Sequence, residues 1–483
     1  MASLHKNTFY YALQTFAERV VSFFVLPLLT KMLPTEFYGV WTQVVVTATL
    51  FGGLLGFHSG VVRFLAGHKE PSEMGGFFHK ILLVVLASSG LFWILSVVFA
   101  DAFSKAMLGT PDTDHFISVF GAFVTTEILF ELITAYLRAK EEIGPLSVYQ
   151  FIKSVGRVGF LALGMLVLKT DLFHVVLWIT IVQAALNAWV YARHIFPSSG
   201  VHFRSTSIPW REFLAFSLPL IPYGLLVWVN SFSDRYVILH QLDMKAVSVY
   251  AVTYSLAGTV SLLYIVLGFT IYPNIARMWN QGRKEEVSRK LSKASEYYVF
   301  FSVPCIVIFT FLHQPLVKFL TKTEFVSDGW VMFWLVSGIA AYGIYQLNYY
   351  VTLLANKTWI NLIVLIFSSA LNIGINLVII PRVGIVGAAF TTFLSNAVLA
   401  FLTLLIVKKS VPYSFAWKAM PKILLSMAVL LGSLMLLVRL IEITGLVSLG
   451  FVGVLALAIY AAVDFAMKDS YLLQLKRGFA QLI

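Results

Sequence analysis

The chain has 483 residues, 59% of them hydrophobic and only 12% charged, with 35 Lys and Arg against 23 Asp and Glu for a net charge of +12. A soluble domain carries about 25% charged residues, so this composition, with a mean hydropathy of +0.85, excludes a soluble protein and implies one made of many membrane-spanning segments. The one cysteine, Cys305, rules out a disulfide framework or a zinc spacing. No basic stripe interleaved with aromatics occurs in a soluble stretch, so the positive charge does not point to nucleic acid.

A bilayer core of roughly 30 Å needs about 20 apolar residues per helix, and windows of that size predict fourteen spans. The first, 9–30, lies in "MASLHKNTFYYALQTFAERVVSFFVLPLL", which is too long and too charged for a signal-peptide core and is read as a retained span carrying Glu18 and Arg19. The second, 38–60, has Gly52, Gly56 and Gly60 on a small-residue packing face and ends near Arg63. Spans at 80–100, 115–137, 149–168 and 172–192 follow, with Glu127 and Glu131 in the fourth and Arg157 in the fifth. The seventh, 212–240, contains Pro219 and Pro222, which invite a kink, and then Asp234 and Arg235. After 246–272 comes the longest polar stretch, "ARMWNQGRKEEVSRKLSKASEYY" at 276–298, read as an interfacial helix on an anionic leaflet. The remaining spans are 295–313, 328–351, 358–380, 384–407, 423–441 and 446–466.

With both termini cytosolic, 24 of the 35 Lys and Arg fall on the cytosolic side and 8 on the other, with Arg19, Arg157 and Arg235 inside spans. That bias supports a multi-pass membrane protein of fourteen spans with both ends cytosolic. The run "LPTEFYGVWTQVVV" (33–46) aligns with "LDMKAVSVYAVTYS" (242–255), placing Leu33 on Leu242 and Trp41 on Tyr250. The repeat implies an all-α polytopic membrane protein: an N-lobe over 1–211, a C-lobe over 212–407, each of six helices, and 408–483 holding spans 13 and 14 with a cytosolic tail.

Four phrases, "LPTEFYGVW", "GVVRFLAG", "SFSDRYVILHQLDMKAVSVYAVTYSLA" and "GIVGAAFTTFLSN", taken in order along nearly the whole chain, resemble the polysaccharide transporter branch of the MOP superfamily. Its Wzx-type members flip lipid-linked oligosaccharides. The resemblance implies a V-shaped pair of six-helix lobes around a cavity that opens alternately to the two faces, with cationic side chains that meet the pyrophosphate of a polyprenyl-linked glycan. Multidrug and toxin extrusion relatives usually have twelve helices, so spans 13 and 14 favour the lipid-substrate branch.

An ionisable group at a helix centre costs roughly 2.5–3.5 kcal/mol on insertion scales, while each Leu, Ile, Phe or Val returns about 0.3–0.6. The intramembrane charges must therefore face a cavity or a partner. Neighbours on a helix point about 100° apart, so Glu18 with Arg19, and Asp234 with Arg235, are poorly placed to pair with each other. On the repeat register, Arg235 maps about two turns beyond Arg19, so the two halves would offer guanidiniums at two depths. A guanidinium fork suits phosphate because it donates two bonds and keeps its charge; the other reading is that each acid–Arg pair locks its helix to a neighbour. Arg157 and Arg63 complete the substrate-binding candidates, with helix-end snorkelling the competing role for Arg63. Glu131 and Arg157 lie at matching depths of a hairpin and are expected to form an ion pair. Glu127, a turn deeper with no evident basic partner, is the candidate for proton coupling.

No Walker A pattern, metal cluster or cofactor motif is present, so no cofactor is expected. The reading is a flippase, not an enzyme, that moves a polyprenyl-diphosphate-linked oligosaccharide for surface polysaccharide biosynthesis. Its partners are the lipid-linked glycan, membrane lipids and other polysaccharide assembly proteins. The alternative is an ion-coupled exporter of small amphipathic or cationic compounds, which a more acidic cavity would favour. A membrane glycosyltransferase or polymerase lacks the large extracytosolic loop it needs, and a scaffold leaves the paired charges unexplained.

Overall fold

The computed structural model describes residues 26–31, 33–55, 57–66, 71–110, 114–199, 209–355, 357–413, 415, 420–467 and 471–473. Among them all regular structure is helical. Twelve helical segments of the described residues are long and apolar enough to cross a membrane, and each overlies one of the expected spans. The first expected span lies almost wholly outside the described residues. The fifth is a helix, Ile143–Ala162, but Lys153 and Arg157 make it too polar to count with the twelve. Twelve of the fourteen expected spans are thus matched among the described residues.

The chain divides into two compact units, Met1–Trp228 and Val229–Ile483. In the first, α1 (Thr35–Leu55), α2 (His58–Leu65), α3 (Pro71–Val98) and α4 (Ala100–Leu108) gather around α5 (Asp114–Ala139), followed by α6 (Ile143–Ala162), α7 (Leu172–Val190) and the short α8 (Trp210–Ser217). Helix α5 is the hub: 67% of its span window is buried, against 22% for α3. The break between α1 and α2 falls at Phe57, which adopts a left-handed φ of 47°. Gly60 lets α8 close on α2, since a Cβ there would meet Phe213 at 2.7 Å. Gly52 has open space around it, and Gly56 is outside the described residues, so the expected small-residue face is a close contact at Gly60 alone.

Pro219, which lacks an N–H to continue the ladder, separates α8 from α9 (Leu220–Gln241). Helix α10 (Met244–Ala257) passes through a 3-10 turn into α11 (Ser261–Asn280). Helix α10 starts at Met244 as α1 starts at Thr35, positions that the aligned runs pair. The second unit continues with α12 (Lys284–Phe311), α13 (His313–Leu320), α14 (Gly329–Leu354), α15 (Thr358–Val383), α16 (Ile385–Lys408), α17 (Met420–Leu440) and α18 (Leu446–Ala466). Helix α14 is its hub, packing on α10, α11, α12 and α16. Gly338 permits the closest approach: a Cβ there would sit 3.1 Å from the backbone of Phe393 on α16. Helices α17 and α18 pack on each other and on α12 through Leu430, Leu434, Val452 and Ala456. Aspartates cap span starts where the chain meets water: Asp171, Asp243 and Asp328 accept from the N–H groups of His174, Ala246 and Trp330.

The polar stretch at 276–298 is not a separate interfacial helix. It turns at Gly282 (φ 76°), and from Lys284 onward it is the opening of α12, a 28-residue helix continuous with the span. The reason is an apolar stripe at helical spacing, Val287, Leu291 and Ala294, which buries against Ile271, Ile275, Val407 and Tyr413. Ser288 donates to the carbonyl of Pro412, and Tyr413 to Ser295. Tertiary packing, not a lipid surface, holds this segment.

Candidate functional site

In the first unit two basic side chains converge on Glu127. Lys153 and Arg157 stand one turn apart on one face of α6; the Lys153 ammonium lies 2.9 Å from one carboxylate oxygen of Glu127, and the Arg157 guanidinium donates to the other. The side chains of Glu127, Lys153 and Arg157 are 14%, 13% and 19% exposed. The expected Glu131–Arg157 pair is therefore corrected to a Glu127–Arg157 pair. The cause is the hairpin: α6 begins at Ile143, before the expected start of the span, so Arg157 lies about four turns in and faces the residue a little over three turns from the end of α5. Glu127 has two basic partners where none was expected, which removes the reason for assigning it proton coupling.

One carboxylate is shared by two cations among apolar side chains. Lys153 sits 3.5 Å from the Phe130 ring centre and Arg157 lies over Phe123 at 5.5 Å. The buried Nε of Arg157 has no hydrogen-bond partner among the described residues. One turn before Lys153, Tyr149 donates to Asn187 on α7 at 2.5 Å, and Asn187 donates to the carbonyl of Thr126 at 2.9 Å, so three helices fix the cluster. Glu131 is exposed and, with His58, Thr134 and Arg138, lines a separate cavity of about 220 Å³. Arg63 is exposed, its guanidinium stacked 4.0 Å from the Phe216 ring centre.

In the second unit Asp234 and Arg235 lie side by side on α9, 3% and 4% exposed. Their side chains part. The Asp234 carboxylate accepts from the Tyr250 hydroxyl at 2.5 Å, from Thr392 at 3.4 Å and from the backbone N–H of Arg235 at 2.8 Å. The Arg235 guanidinium lies between the rings of Phe232 and Tyr254, 5.0 Å from each centre. Its Nε and Nη1 are buried with no hydrogen-bond partner among the described residues. A buried guanidinium in that state costs several kcal/mol that an anion would return.

Below Asp234 runs a ladder of neutral polar side chains. Asn230 donates to Asn396 at 2.9 Å, Ser368 donates to Asn230 at 3.1 Å, Ser233 to Asn372 at 3.3 Å, Asn372 to Ser395 at 3.1 Å and Asn376 to Asn372 at 3.1 Å. Attention to full charges missed this network. Its signal is present in the chain as Ser368, Asn372 and Asn376 at i, i+4, i+8 within an apolar run. Glu18 and Arg19 lie outside the described residues. No group of three or more His, Cys, Asp or Glu side chains that could hold a metal occurs among the described residues.

The family described as polysaccharide biosynthesis protein matches residues 4–279. No curated protein matches the chain. Among solved structures, the chain is similar to the lipid II flippase MurJ in an inward closed conformation, with 16% identity, a TM-score of 0.75 and coverage of 94% of this chain and 98% of that one. It is also similar to an inward-facing multidrug resistance MATE family transporter of the MOP superfamily, at 13% identity and TM-score 0.66, covering 81% and 94% of the two chains. The Vibrio cholerae MATE transporter VcmN in the bent form shares 16% identity at TM-score 0.52, over 85% of this chain and 97% of that one. At these identities the likeness is one of fold.

Proposed function

Because the chain belongs to the polysaccharide biosynthesis protein family, with the fold of MOP-superfamily flippases and transporters and not of enzymes, we propose that it translocates a polyprenyl-diphosphate-linked oligosaccharide across the cytoplasmic membrane, both termini cytosolic. The observation that carries this reading is Arg235: a permanent charge buried in apolar helices, with two donor nitrogens that no described residue satisfies.

No bond is made or broken in such a step. The barrier is the cost of carrying the diphosphate and the sugars through hydrocarbon while the prenyl tail stays in lipid. Arginine forks lower it by replacing water around the phosphate oxygens, and their charge does not titrate away on the route. Arg235 takes this role in the second unit; Arg19, Arg157 and Arg63 are the candidates elsewhere. Arg235 is occluded in the present state, so headgroup entry requires a second conformation, as alternating access provides. Glu18, Asp234 and Glu131 are the acids left for coupling or ion pairing, and Glu127 serves as the counter-ion of Lys153 and Arg157. Membrane lipids and other polysaccharide assembly proteins are the partners in this reading.

The fold likeness to MATE transporters favours a second reading, an ion-coupled exporter of small amphipathic or cationic compounds. Cells lacking the chain separate the two. Lipid-linked sugar accumulating on the cytosolic leaflet supports the flippase; an unchanged leaflet distribution with heightened sensitivity to cationic dyes rejects it in favour of the exporter.

A further inference from the structure

Helix α14 carries Tyr342, Tyr345, Gln346 and Tyr349 at i, i+3, i+4 and i+7, one stripe of a helix. The rings of Tyr342 and Tyr345 are 5.4 Å apart, and those of Tyr345 and Tyr349 5.8 Å apart. Tyr345 is buried and backs the other two, which are partly exposed. Gln346 donates to the Tyr342 hydroxyl at 2.7 Å, and Tyr264 on α11 meets the Tyr342 ring edge-on at 5.9 Å.

This stripe does not have the composition of a lipid-facing surface. On α11 the exposed large hydrophobic side chains are Val266 (62%) and Phe269 (44%), on the side of the helix away from Tyr264. Among the described residues of the second unit, the large hydrophobic side chains more than a third exposed are Leu, Ile, Val, Phe, Met and Trp, and none is Tyr. Tyrosine hydroxyls at mid-span belong where water or a polar ligand can reach them. The stripe also continues from the cationic centre: Arg235 lies over Tyr254 at 5.0 Å, and α14 packs on both α10, which carries Tyr254, and α11. Tyr264 is about 15 Å further along that helical path.

We propose that Tyr264, Tyr342 and Tyr349 form a stacking platform for the sugar rings of the lipid-linked glycan whose diphosphate Arg235 holds. The inference rests on the flippase reading and deepens it. The apolar face of a sugar ring presents C–H groups of slightly positive character, which the negative face of a phenol ring attracts. The hydroxyl rim and Gln346 supply hydrogen bonds to sugar hydroxyls. Stacking of this kind tolerates different sugars, whereas the charge at Arg235 recognises only the diphosphate.

The test uses the full chain in lipid nanodiscs and two probes: the polyprenyl-diphosphate-linked oligosaccharide purified from the producing cells, and bare polyprenyl diphosphate. Tyr342→Leu and Tyr349→Leu, which keep apolar bulk but lose the ring, should each weaken the glycan-bearing probe about tenfold. Both should bind the bare diphosphate as wild type does, which also reports that they fold. Tyr342→Phe should stay within about twofold of wild type for both probes. Leu variants that bind the glycan-bearing probe as tightly as wild type, or that lose both probes equally, overturn the platform and leave the flippase reading standing. A wild-type protein that binds neither probe overturns both.

Discussion

Replacing Glu127 with Gln should destabilise the first unit more than any substitution of its two cationic partners. The carboxylate is the counter-ion for Lys153 at 2.9 Å and for Arg157, and all three side chains are less than a fifth exposed. Gln keeps the shape and removes the charge, leaving two like charges one turn apart on α6 without compensation. Breaking a buried pair in this way costs about 3–5 kcal/mol; snorkelling by the Lys153 stem places this case near the lower figure, about 3 kcal/mol. Lys153→Met has the opposite logic. It leaves the Arg157–Glu127 pair whole and removes one of the two cations that share the carboxylate, so its cost should stay within about 1 kcal/mol. In the double variant Glu127→Gln, Lys153→Met, part of the loss should return, a coupling that a double-mutant cycle isolates. Thermal unfolding of the purified protein in nanodiscs, followed by loss of the monodisperse peak, ranks the four proteins. A Glu127→Gln variant as stable as wild type, or a Lys153→Met variant as damaged as Glu127→Gln, would refute the shared-carboxylate reasoning.

Tyr250→Phe removes the 2.5 Å donor to the buried Asp234 carboxylate and should cost about 1.5–3 kcal/mol by the same unfolding assay, whereas Tyr254→Phe, which keeps the ring beside Arg235, should cost less. Gly384→Ala should lower stability by about 1–3 kcal/mol despite open space around the site, because Gly384 joins α15 to α16 at φ 68° and ψ −149°, a conformation that alanine resists. The exposed Asp171 carboxyl caps α7 and is held below the usual aspartate range first by the His174 backbone N–H and then by its imidazole. Its capping contribution is therefore complete above the ordinary aspartate range and disappears as pH falls through the lowered value. Amide exchange at the start of α7, corrected for intrinsic rates, should report that acid-side loss, and Asp171→Ala should abolish it.

The spans were legible because bilayer thickness and helical rise leave little freedom: each of the twelve apolar helices overlies a window of the expected length. The polar stretch at 276–298 was misread because its charges dominate composition while its packing stripe, Val287, Leu291 and Ala294, is only three residues. The partner of Arg157 was misread by one turn. Hydropathy shows where the apolar run begins, not where the helix begins, and α6 starts earlier at Ile143. The parting of Asp234 from Arg235 followed from the 100° turn between neighbours, but the hydroxyls that donate to Asp234, Tyr250 on the next helix and Thr392 on α16, are brought there by packing, which no local pattern reveals. The tyrosines of α14 stand at helical spacing in the chain, but nothing in that spacing singles them out, because their meaning depends on Tyr345 lying buried while Tyr342 and Tyr349 are partly exposed.

The most direct measurement is transport by the purified chain in proteoliposomes loaded asymmetrically with polyprenyl-diphosphate-linked oligosaccharide, the transferred fraction read by a glycan-cleaving enzyme confined to one side. Wild type should move the lipid between leaflets. Arg235→Ala, with two charge-assisted bonds to the diphosphate removed, should be slower by about a hundredfold or more at unchanged reconstitution. Equal rates for wild type and Arg235→Ala would contradict the central claim that a buried arginine fork receives the phosphate-bearing headgroup.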